Sequence, residues 1–100
     1  MSITIKNNQW QVQSNLNITN SHCIYKKYKN KFPTTIDSIW NIDLKNCKHI
    51  DSGGLSLIIE FIKHAKTKNI KLQFTHINSD AIALANVHGI GKLIQEYIKQ

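Results

Sequence analysis

Arginine is absent from this 100-residue chain. Thirteen lysines against six acidic residues still give a formal net charge of +7, a balance that ordinarily points to nucleic acid or an anionic membrane surface. Without a guanidinium, bidentate recognition of guanine or phosphate has no side chain to use. Seventeen isoleucines and eleven asparagines accompany the lysines, the bias expected of an AT-rich genome. Nucleic acid is therefore not expected as a partner. The lysines scatter, apart from Lys26, Lys27, Lys29 and Lys31. That cluster reads first as a solvated helix face and second as a weak, salt-sensitive attraction for phosphate or lipid head groups.

Other scarcities narrow the class further. Two cysteines, Cys23 and Cys47, make no spaced disulfide framework, and a reducing compartment would keep them as thiols. Long apolar runs are missing: Leu57-Ile58-Ile59 is stopped by Glu60, and no window approaches the roughly 20 apolar residues of a bilayer span. Met1 to Lys6 lacks the basic region, apolar core and cleavage site of a secretory signal. A cytoplasmic location is expected. The length suits one domain, residues 1–100, with a single core.

What is present alternates. Ile3 and Ile5, then Trp10 and Val12 beyond Asn7-Asn8, predict a hairpin with one wet face. Ser14 to Asn20 is rich in turn formers around Leu16 and Ile18, and Asn20 or Ser21 opens a helix to about Lys31, broken by Pro33. Trp40, Ile42 and Leu44 face inward from a central strand, with Asn41 and Asp43 on its other side. From about Gly53 to Thr67 the spacing of Leu55, Ile58, Ile59, Ile62 and Ala65 is that of a buried helical stripe, which Asn69 is placed to stop. Ile70, Leu72 and Phe74 predict another strand. A third helix starts at Ser79 or Asp80 and ends at His88-Gly89, and a fourth sets Ile90, Leu93, Ile94, Tyr97 and Ile98 on one face.

Half-apolar strands and single-striped helices imply an α/β fold: a mixed sheet of four to five strands covered by helices on one face, in the order ββαβαβαα with a short strand near Leu16. Loops leaving the carboxyl ends of parallel strands share a rim, so Lys45 to Gly54 and Thr75 to Ser79 should meet there.

Function is expected at Asp51-Ser52-Gly53-Gly54-Leu55, where strand gives way to helix and the first backbone N–H groups have no partner. Ser52 is suited to cap the helix, and the two glycines permit close approach. A hydroxyl there is also well placed to dock another protein, and a phosphate on it would bring about two negative charges. Catalysis fares poorly. His49, Asp51 and Ser52 have the chemistry of a triad, but so near together in one loop they cannot form its line of hydrogen bonds. His22-Cys23 with Cys47 and His49 lacks zinc-knuckle spacing. No metal and no cofactor is expected, and Trp10 and Trp40 read as core.

The strand Trp40–Leu44, the loop His49-Ile50-Asp51-Ser52-Gly53-Gly54-Leu55, the helix through Phe61-Ile62-Lys63-His64-Ala65-Lys66, and Ala83-Leu84-Ala85-Asn86-Val87-His88-Gly89-Ile90 together resemble the STAS domain. This is the fold of sulphate-transporter tails and anti-sigma-factor antagonists. Within it the chain is most similar to the MlaB-type accessory subunits of phospholipid-transporting ABC complexes. The resemblance implies a non-enzymatic subunit that binds the transporter's ATPase, of MlaF type, and through it the permease. It would support assembly and activity in maintaining outer-membrane lipid asymmetry, at most peripheral to the inner membrane. The alternative it implies is an anti-sigma-factor antagonist switched by phosphorylation of Ser52. Asp51, Ser52, Gly53, Gly54 and Leu55 carry over as the partner contact, with His88 as a second point.

Overall fold

The computed structural model of the protein describes residues 3–34 and 39–99. Ile3–Lys6 (β1) pairs antiparallel with Gln9–Val12 (β2), Asn7 taking the positive φ that the tight turn needs. Trp40–Asp43 (β3) lies parallel to β2, and Leu72–Thr75 (β4) parallel to β3, so the mixed sheet runs β1-β2-β3-β4. Between the parallel strands the chain crosses through helices Ser21–Tyr28 (α1) and Ser52–Lys68 (α2); Ser79–Val87 (α3) and Gly91–Gln95 (α4) follow β4.

Alternation decides which face is covered. Trp10, Val12, Trp40, Ile42, Leu72 and Phe74 are buried, whereas Gln11, Asn41, Asp43, Gln73 and Thr75 between them stay half exposed. Onto the apolar side α1 sets Ile24 and Tyr28, and α2 sets Leu55, Ile58, Phe61, Ile62 and Ala65. Phe61 packs against Trp10, Phe32 and Trp40, with ring centroids 6.3, 5.4 and 5.5 Å away in edge-on arrangements, the geometry that the ring quadrupoles favour. Asn69 ends α2 in the left-handed region (φ 56°), its N–H donating to the carbonyls of Ala65 and Lys66.

Three expectations need correction. The first helix tightens into a 3₁₀ turn at Lys29–Lys31 before Phe32. The short strand near Leu16 is only a single bridge, Leu16 to Ile50. The fourth helix is five residues long, and Tyr97 to Lys99 run beside β4 instead: Phe74 N donates to Tyr97 O at 2.7 Å and Lys99 N to Phe74 O at 3.0 Å. An otherwise unpaired strand edge competes for this segment, and its backbone bonds outweigh one more turn of a short helix. Among the described residues no helix is long and apolar enough to cross a membrane.

Candidate functional site

Two segments far apart in sequence clasp each other above the carboxyl ends of the strands. Asn15 Oδ1 accepts from the backbone N–H groups of Lys48 and His49, each at 3.2 Å. Leu16 N donates to His49 O at 3.0 Å, and Asp51 N donates back to Leu16 O at 3.1 Å. The loop after β4 joins them, with Asn78 Nδ2 donating to Lys48 O at 2.7 Å. The two rim loops therefore meet as the strand order requires.

Asp51 is the hinge pin of this clasp. Its backbone is extended, one carboxylate oxygen accepts from Gly54 N at 3.0 Å, and the other accepts from Ile18 N at 3.1 Å. Desolvation works against the charge, but the N–H donors of Gly54, Ile18 and Gly53 outweigh it and hold the carboxyl below its ordinary pKa. This corrects the expectation that Ser52 caps α2. Both residue types are good caps, but only the carboxylate has two oxygens with which to bond the helix and the neighbouring loop at once.

The glycines answer to the same closeness. A Cβ on Gly53 would run into the backbone of Ile18, and one on Gly54 into the carbonyl of Leu16. Gly54 and Leu55 are buried, holding the loop from beneath and offering a partner little surface. Of the expected contact residues, Asp51, Ser52 and His88 are exposed and Gly53 is half-buried.

Relieved of capping, Ser52 stands on a ridge between two open grooves. One, of about 550 Å³, lies between α1 and α2 and is lined in part by Ile18, His22, Tyr25, Ser52, Leu57 and Glu60. The other, of about 220 Å³, is lined by Ser52, Leu55, Ser56, Ile59, His88 and Ile90. Ser52 and His88 are thus brought to one groove, although 36 positions separate them. Ile18 and Val87 are 77% and 79% exposed, large aliphatic side chains that the core does not use.

The Asp51 carboxylate is committed to backbone donors, and among the described residues no hydrogen bond joins Ser52 to His49. Cys47 is buried, desolvation pushing its thiol up, whereas Cys23 is exposed. Sequence reasoning placed Asp43 on the open side of the sheet but missed its pairing with His76, whose Nδ1 lies 2.9 Å from Asp43 Oδ1. Desolvation again opposes the Asp43 charge, but the Lys45 N–H and His76 lower its pKa overall. Nothing local signals this pair, since the two stand 33 positions apart. Ile18 reads in sequence only as part of a turn, and the place of both Ile18 and His22 in the groove beside Ser52 has no local signal either.

The chain matches the STAS domain over residues 6–99. None of the curated proteins matches it in sequence. Among solved structures, a crystal structure of a candidate anti-sigma factor antagonist from Thermotoga maritima superposes with a TM-score of 0.61 at 19% identity, covering 95% of this chain and 92% of that one. An NMR structure of the same Thermotoga protein gives 0.69 at 19% identity over 99% and 78% of the two chains. A sulfate transporter family protein from Wolinella succinogenes gives 0.69 at 10% identity over 95% and 79%. At such identities the likeness is one of fold.

Proposed function

Because the chain belongs to the STAS domain family, we propose that it is a non-enzymatic docking subunit whose Ser52 ridge binds the ATPase of a phospholipid-transporting ABC complex. It would support the complex's assembly and activity from the cytoplasmic side, peripheral to the inner membrane, in maintaining outer-membrane lipid asymmetry. The observation that carries this reading is the exposed Ser52 hydroxyl, freed of capping by Asp51 and held between grooves that take in Ile18 on one side and His88 on the other. The motif resemblance supports the choice of an MlaF-like ATPase as the partner. Docking positions are Asp51, Ser52, Gly53 and His88, with Gly54 and Leu55 as their support. Co-expression with the ATPase and permease tests it. Ser52→Glu should reduce co-purification at least about tenfold, as expected for a charge forced into a contact, whereas Ser52→Ala should retain it. Undiminished co-purification of Ser52→Glu would remove the ridge as the interface.

A second reading, a phosphorylation-switched antagonist of an anti-sigma factor, draws on the same exposed hydroxyl. Its further support is the Thermotoga neighbour, which shares the fold. Incubation with a cognate anti-sigma kinase and ATP should then place phosphate on Ser52 and release the kinase. A chain that neither gains phosphate nor binds the kinase fails this reading and leaves the first intact.

A further inference from the structure

The first acidic residue in the sequence is Asp37, yet five lysines precede it. Four of these, Lys26, Lys27, Lys29 and Lys31, occupy the last turns of α1 and the 3₁₀ turn that follows. The grooves show how α1 lies on α2. His22 and Tyr25 face Ser52 and Ser56, while Lys29 and Asn30 face Lys63 and Thr67, so the two helices run in the same direction. Both amino ends are therefore at the Ser52 ridge and both carboxyl ends at the opposite pole. There α2 adds exposed Lys66 and Lys68 to the lysines of α1.

Among the described residues little opposes this charge. Glu60 is engaged by Lys63 at 3.6 Å, and Glu96 shares its groove with Lys71 and Lys99. Lys27 and Lys31 lie over the Tyr28 ring, at 5.5 and 5.8 Å from its centroid, and Lys29 lies 6.0 Å from that of Tyr25, so the ammonium groups are drawn along the surface as a raft. Ile39, 45% exposed, sits at the same pole, next to Trp40, whose backbone N–H donates to Lys71 O.

We infer that this pole is a docking surface for an anionic phospholipid membrane. Point-charge ammonium groups without a single guanidinium suit a fluid plane of phosphate head groups better than a discrete phosphate clamp. The neighbouring aliphatic Ile39 is suited to the head-group boundary. Nucleic acid fits less well, because both tryptophans, Tyr28 and Phe32 are buried and, among the described residues, Tyr25 beside the lysines is only half exposed. Since this pole lies opposite the Ser52 ridge, the chain can hold a protein and a membrane together, and the inference does not depend on which protein docks there.

Co-sedimentation of the full chain with vesicles tests it. Vesicles with about 30 mol% phosphatidylglycerol in phosphatidylcholine should bind the chain, pure phosphatidylcholine should not, and raised salt should release it. The double variant Lys29→Gln/Lys31→Gln should lower anionic-vesicle affinity at least about tenfold, from roughly fivefold for each lysine near the surface. Lys45→Gln/Lys48→Gln, an equal charge change at the other pole, should not. Ser52→Glu should also leave vesicle binding unaltered, which separates this outcome from that of the protein-docking proposal. Equal loss in both double variants, binding to neutral vesicles, or wild-type binding indifferent to salt would overturn the inference. So would preferential binding of a short DNA duplex that strips the chain from anionic vesicles.

Discussion

The carboxylate of Asp51 accepts a hydrogen bond from the backbone of Ile18, 33 residues earlier, while capping α2 through Gly54. One side chain thus fastens the turn before α1 to the start of α2.

Asp51→Ala should cost about 1 to 2 kcal/mol through the lost cap and the orphaned N–H groups. Ser52→Ala should stay within about 0.5 kcal/mol of the wild type, since Ser52 is exposed and does not cap. Urea unfolding of the two variants checks the contrast; equal losses would restore capping to the serine.

The same carboxylate gives a pH dependence. Its pKa is lowered in the folded chain, as is that of Asp43, so each stabilises the fold fully above the unfolded value, near 3.9. That contribution fades as pH falls through the lower folded value. Urea midpoints of the wild type should decline from about pH 4 downward, and Asp51→Asn should flatten the decline.

Gly54→Ala should destabilise the chain by about 1 to 3 kcal/mol, because the new methyl meets the Leu16 carbonyl. The gain of roughly 1 kcal/mol in helix propensity does not offset this. A more stable variant in thermal melts would refute the close approach.

Phe61→Ala removes a ring that touches Trp10, Phe32 and Trp40, and should cost about 3 to 5 kcal/mol. Denaturant unfolding followed by tryptophan fluorescence reads it directly.

Truncation after Gln95 would leave the backbone N–H and carbonyl of Phe74 without Tyr97 and Lys99. A loss of at least about 2 kcal/mol is expected, with faster amide exchange at Phe74. Unchanged exchange there would mean that the terminal segment contributes nothing to β4.

Much of this architecture is legible in residue order. Trp40, Ile42 and Leu44 alternate as a half-covered strand must, and Leu55, Ile58, Ile62 and Ala65 recur as a buried helical stripe must; Asn69 ends that helix in the conformation that favours asparagine. The loop at Asp51 was also legible as a strand-to-helix junction. Its internal division of labour was not: Asp51 and Ser52 are both eligible caps, and the choice turned on Ile18, a partner no local pattern names. Ile94, Tyr97 and Ile98 carry helical spacing, but spacing cannot register the free edge of β4 that draws the last two away. The Asp43–His76 pair and the groove shared by Ser52 and His88 arise from chain crossings.

The backbone of Ile18 rests against Gly53 with no room for so much as a methyl between them. Whatever approaches Ser52 consequently meets a surface whose shape is already settled, with little configurational freedom left to surrender on contact. Recognition at such a place is governed by how well the visitor fits, and loosening the loop should shorten the lifetime of a complex even where every contacting side chain is retained.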